Sequence, residues 1–112
     1  MAVTRTLREY LDEQGRSPFR RWLDRLNGPA ATKVTTALYR LGEGNDSNTK
    51  SVGEGVYELK VDFGPGYRVY FGWRGQQLII LLAGGSKARQ QQDIKRAKEL
   101  WAAYKRREKE ER

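Results

Sequence analysis

Three short stretches carry side chains that could act on a phosphodiester: "VYELKVDF" at 56–63, "GPGYRVYFGWRG" at 64–75 and "GGSKARQQQD" at 84–93. Each sets a cation, Lys60, Arg68 or Lys87, in apolar or glycine-rich surroundings. A guanidinium holds two phosphate oxygens at once, so Arg68 suits a phosphate clamp, and Lys87 could add charge or act as an acid. Cleavage of RNA by its own 2′-hydroxyl needs a base for that hydroxyl, charge stabilisation at the phosphorane and a proton for the leaving 5′-oxygen. The base is left open between Lys60 and the carboxylates Glu58 and Asp93. Tyr70 is available to stack on a nucleobase, and Arg74 and Arg89 extend the cationic surface toward RNA. The glycine pair at 84–85 lets backbone approach a ligand, but the GxxxxGK[ST] pattern of a phosphate-binding loop is absent.

These residues need a scaffold, and the hydrophobic pattern supplies one. Residues 3–11, "VTRTLREYL", read as a first strand, and "DEQGR" as a turn. Ser17-Pro18 opens a helix whose Phe19, Trp22, Leu23 and Leu26 fall on one apolar stripe. Asn27-Gly28-Pro29 ends it, and a second helix over 30–41 turns Val34, Ala37, Leu38 and Leu41 inward, which predicts an antiparallel helical hairpin. "GEGNDSNTKSVGEG" reads as a loop. Two strands of period two follow, over 56–63 and 67–73, and then "QLIILLA", apolar on both faces as a central strand would be. "GGSKARQQQ" reads as a loop into a last helix over 91–107, with Ile94, Ala97, Leu100, Trp101 and Tyr104 inward and a charged, frayed tail at 106–112.

The fold class is therefore α+β, a small antiparallel sheet packed with helices in the order β-α-α-β-β-β-α. A three-residue loop at Gly64-Pro65-Gly66 predicts the pairs Phe63–Tyr67, Asp62–Arg68, Val61–Val69 and Lys60–Tyr70, with every apolar partner on one face. The other face would carry Glu58, Lys60, Asp62, Arg68, Tyr70 and Arg74 in solvent. Lys60 and Arg68 are then diagonal neighbours, roughly 7–8 Å apart at the backbone. Asp62 is the expected ion-pair partner of Arg68, and neither Arg68 nor Lys87 is expected to be needed by the core.

Composition narrows the function. The 112 residues make one domain, 38% hydrophobic and 32% charged, with 22 Lys and Arg against 14 Asp and Glu and a net charge of +8. Such a balance in a small domain points to a polyanion or an acidic partner. There is no Cys and no His, so disulfides, thiolate metal sites and the commonest catalytic base are excluded, and nothing calls for a cofactor or a metal. The longest apolar run, 78–83, is strand-sized, and "MAVTRTLREY" lacks the apolar core of a signal peptide. A cytoplasmic protein with no membrane partner is expected.

"YLDEQGRSPFRRWLDRL", "GVYELKVDFGPGYRVYF" and "LLAGGSKARQQQDIKRAKELW" resemble the RelE/HigB-type toxins of bacterial type II toxin–antitoxin modules. More narrowly they are similar to the phage-derived Gp49-like, HigB-like branch, in matching order over residues 7–101. The resemblance implies a RelE-like, microbial-RNase-like fold and ribosome-dependent mRNA cleavage. It also implies neutralisation by a cognate antitoxin, often a helix-turn-helix DNA-binding protein. By strand position Lys60 and Arg68 match basic residues of the family's strands, and Lys87 and Arg89 match those after its last strand. Two positions depart from RelE. Glu58 stands where RelE has a further lysine, and Asp93 lies near the place of a C-terminal tyrosine important for cleavage. The proton-transfer roles stay open accordingly. The alternatives are a ParE-like toxin, which shares the fold and acts on DNA gyrase without cleaving, and a non-catalytic RNA-binding domain suggested by "IKRAKELWAAYK".

Overall fold

A computed structural model describes residues 4–111. The elements run β1 (Thr6–Glu9), α1 (Pro18–Asp24), α2 (Gly28–Gly42), β2 (Thr49–Gly53), β3 (Val56–Val61), β4 (Tyr67–Arg74), β5 (Leu78–Ser86), a 3₁₀ turn (Lys87–Arg89) and α3 (Gln90–Glu110). The predicted first strand started at Val3, and the predicted tail ended at Arg112; both ends lie outside the described residues. α1 starts at Ser17-Pro18 as expected, whereas α2 starts at Gly28, two residues before the expected 30, because Asn27-Gly28-Pro29 caps and opens it. The Ser17 hydroxyl accepts from the Arg20 amide at 3.0 Å, the Asn27 carboxamide oxygen accepts from the Ala30 amide at 2.9 Å, and each helix has a proline in its first turn.

The α+β class holds, with one sheet of order β1-β5-β4-β3-β2. It is mixed rather than antiparallel, because β1 lies parallel to β5 while the other pairs are antiparallel. Side-chain periodicity carries no strand direction, and β1 meets β5 across most of the chain and not through a tight turn that would force an antiparallel neighbour. β2 falls in the stretch read as a loop and forms the far edge of the sheet.

Helices cover both faces. Phe19 and Leu23 of α1 and Ala30, Val34, Leu38 and Leu41 of α2 pack against Leu59, Val69, Phe71 and Ile79. On the opposite face Ala97 and Trp101 of α3 pack against Tyr10, Val56, Tyr70, Ile80 and Leu82. The face expected to be solvated is thus roofed by α3 over its middle. The predicted inward stripes hold for all three helices: Trp22, Leu26, Ala37, Ile94, Leu100 and Tyr104 are half-buried beside the two cores.

The hairpin register departs from the prediction by two residues. Val61 pairs with Tyr67, Lys60 with Arg68, Leu59 with Val69 and Glu58 with Tyr70, so the connecting loop has five residues, 62–66, and Phe63 lies in it. An odd loop keeps the same residues on each face, which is why the core assignment survives the shift. β5 carries an irregularity opposite Tyr70/Phe71, after which Gly84 pairs with Val69 and Gly85 with Arg68. These glycines are strand residues and not a loop. A Cβ on Gly84 would overlap the Trp22 ring, and one on Gly85 would overlap the Asp93 carboxylate. The glycine pair therefore admits α1 on one side and the start of α3 on the other.

The predicted frayed tail is helical through Glu110. Arg107 donates to the Leu11 carbonyl at 2.5 Å and sits over the Tyr10 ring, and Glu108 pairs with Arg74 at 2.6 Å. Those ties hold the end of α3 to the sheet.

Candidate functional site

At the end of the sheet where α3 begins, β3, the 62–66 loop, β4 and the 3₁₀ turn surround an open groove of about 340 Å³. Lys60, Asp62, Arg68 and Lys87 line it, with Phe63 and Pro65. The sheet register delivers these groups. Lys60 and Arg68 are direct partners across β3 and β4, and the Lys87 amide donates to the Gly66 carbonyl at 3.0 Å, pinning the 3₁₀ turn to the hairpin loop. The three cations that the sequence singled out are brought to one place.

Their environments differ sharply. Lys60 and Lys87 are exposed, and Lys60 lies 3.6 Å from the exposed Asp62 carboxylate. Arg68 is only 6% exposed. Its Nη1 donates to the Tyr67 carbonyl at 3.2 Å and its Nε lies 3.6 Å from Glu58. Arg68 thus answers to Glu58, not to Asp62 as expected, because the two-residue shift sets Arg68 opposite Lys60. The guanidinium is held in the floor of the groove and is needed by the surrounding packing.

Glu58 is 2% exposed and heavily partnered: Gln90 donates to it at 2.8 Å, and Lys50 stands 3.8 Å away. A carboxylate so enclosed orients Arg68 and cannot reach a sugar hydroxyl in the groove. Tyr70, the third buried member, is fully enclosed under α3 and presents no ring face for a nucleobase. Burial pushes its phenol up, the Glu58 and Asp93 carboxylates push it further, and Arg68 opposes them. The stacking role expected for Tyr70 is therefore corrected to a structural one. Arg74 sits at the far end of β4, paired with Glu108, and is not part of the groove.

Asp93 and Arg89 lie next door, in a cleft of about 560 Å³ around the end of β5, between α1 and the first turns of α3. Burial pushes the Asp93 carboxyl up although Arg89 and Arg96 pull it down, and its Oδ2 has no hydrogen-bond partner among the described residues. The other charged residues of that cleft, Arg21, Arg25 and Arg96, were missed by the sequence reading. On a helix whose inward face is apolar, flanking arginines look like an ordinary solvated surface. Asp62 was named only as a partner for Arg68, and its place on the groove wall depended on the register.

Among the described residues no helix is long and apolar enough to cross a membrane. Two comparisons bear on the site. The model of the family described as phage-derived protein Gp49-like (DUF891) matches residues 21–107, a span that includes every groove residue. An uncharacterized protein of Haemophilus influenzae is 46% identical over 83 residues, covering 73% of this chain and 84% of the relative.

Proposed function

The chain belongs to the phage-derived Gp49-like family, a toxin-like family, and from that premise we propose that it is the toxin of a type II toxin–antitoxin module, of RelE/HigB type, that cuts messenger RNA held on the ribosome. A cognate antitoxin is its partner in that reading. The observation that carries the proposal is the convergence of Lys60, Arg68 and Lys87 on one open groove, with a single carboxylate, Asp62, beside them. Four charged groups of that kind match what scission of a phosphodiester by its own 2′-hydroxyl requires.

The steps follow from the positions. Arg68, held from behind by Glu58, donates to the non-bridging oxygens of the scissile phosphate. Asp62 takes the proton of the 2′-hydroxyl, whose oxygen attacks phosphorus to form the 2′,3′-cyclic phosphate. The bond to the 5′-oxygen breaks, and Lys87 gives that oxygen its proton. Lys60, 3.6 Å from Asp62, adds charge at the phosphorane. A carboxylate is a poor base for a sugar hydroxyl, and no His is present to do better, so the isolated protein works slowly. Positioning of the message by the ribosome supplies the missing acceleration.

The test uses the exposed residues, whose removal leaves the fold alone. Induced in bacteria, the wild type stops growth and Lys87→Ala and Asp62→Asn do not, each lowering the cleavage rate by about 10²-fold or more. Growth arrest undiminished in both variants, at equal protein levels, contradicts the proposal.

A further inference from the structure

The cleft beside the groove has a composition that the catalytic steps do not use. Arg21 of α1 and Arg25, its C-cap, line the cleft with Arg89 of the 3₁₀ turn and Arg96 of α3. None of the four is in an ion pair among the described residues, although Arg20 and Arg5 both are. Arg89 donates to Gln92 at 3.1 Å, and with Asp93 the one carboxylate lining the cleft, four guanidiniums around one concavity leave a net positive site that favours an anion. Trp22 lines the same wall, half-buried, with its indole over the bare backbone of Gly84. Asp93 lies at the base with one buried oxygen lacking a partner.

The cleft and the groove lie side by side. Tyr67 and Ser86, paired across β4 and β5, line the cleft, while their neighbours Gly66 and Lys87 line the groove. One rung of the ladder separates the two. For a strand whose scissile phosphate lies on Arg68, the cleft is the adjoining surface that flanking nucleotides would meet. We propose that the cleft is a second RNA subsite, in which the arginines hold a flanking phosphate and Trp22 receives a base. The inference rests on the RNA-cleaving reading of the groove and extends it to where the rest of the strand goes. Guanidiniums on both walls with an aromatic ring between them match a phosphate and a planar base better than they match an acidic peptide.

The probe is a fluorescein-labelled hexaribonucleotide, 2′-O-methylated throughout so that it cannot be cut. Its binding is followed by anisotropy at several salt concentrations. In the full chain, Arg25→Ala combined with Arg96→Ala removes two exposed groups and keeps the wild-type melting curve. The expected result is binding weakened by about tenfold or more, with the slope of log affinity against log salt reduced by about 1.4 for two lost phosphate contacts. Trp22→Phe keeps the packing and abolishes quenching of tryptophan fluorescence by the RNA. Lys60→Ala with Lys87→Ala, measured alongside, separates the two ideas. If only the groove variant loses affinity, the cleft proposal falls and the groove stands. If only the cleft variant loses it, the subsite stands and the groove-centred reading falls. A wild type that does not bind the probe overturns both. Unchanged RNA binding by the cleft variant with lost affinity for poly-glutamate assigns the cleft to an acidic protein and overturns the RNA subsite.

Discussion

Arg68 is at once the proposed phosphate clamp and a structural member of the sheet, and its burial decides how it can be tested. Arg68→Ala leaves Glu58 enclosed with its closest cation gone, which costs about 3 kcal/mol and lowers the melting temperature by roughly 10 °C or more. Adding Glu58→Gln to that variant removes the stranded charge and restores part of the loss; equal melting temperatures for the single and double variants contradict this account. Loss of toxicity in Arg68→Ala alone therefore says little about chemistry, and Lys87 and Asp62 are the cleaner probes. The sequence marked Lys60, Arg68 and Lys87 because cations are rare in such apolar and glycine-rich strands. It could not mark Glu58 and Tyr70 as buried, since the alternation that places them opposite the core is the same whether that face meets water or a helix.

The elements reach the site through ties that lie outside it. Arg5 donates to Asp46 through Nη1, and through Nη2 at 2.9 Å; it also donates to the Leu41 carbonyl and lies over the Trp73 ring. Arg20 donates to Glu9 at 2.5 Å, so β1 is fastened to both α1 and the end of α2. The hydrogen bonds from Arg5 and Arg20 hold the Asp46 and Glu9 carboxyls below their usual range. A carboxyl lowered on folding stabilises above its unfolded value, and that contribution is lost as pH falls through the folded one. Asp46→Asn is thus less stable than wild type at pH 7 by about 0.5–1 kcal/mol, since the carboxylate is half-exposed, and the difference closes in acid once pH has fallen through the lowered Asp46 value. Melting curves at pH 7 and in acid check it; a gap that persists in acid contradicts it. Element types were readable here from caps and stripes. β2 was not, although Gly53 pairs with Val56 around Glu54 and Gly55, both with positive φ, in the two-residue turn that favours hairpins. The polar residues of "NDSNTKS" masked an edge strand whose sides are mostly wet.

At the scale of the whole molecule, one sheet with helices on both faces makes a basic end and a braced end. The groove and the arginine cleft meet where β5 runs into α3, and Arg107, Glu108 and Arg74 anchor the opposite end of that helix. The sequence conveyed the class and the outline of the groove, but the cleft depends on which helix lies over which glycine, a tertiary fact with no local signature. The proposed activity is cleavage of messages on the ribosome through the groove. It is tested most directly by mapping 5′ ends on translated messages after brief induction in bacteria, with Lys87→Ala as control. The account predicts new ends in phase with codons, confined to translated regions and absent from the control. Intact messages accompanied by gyrase-linked DNA damage would contradict it.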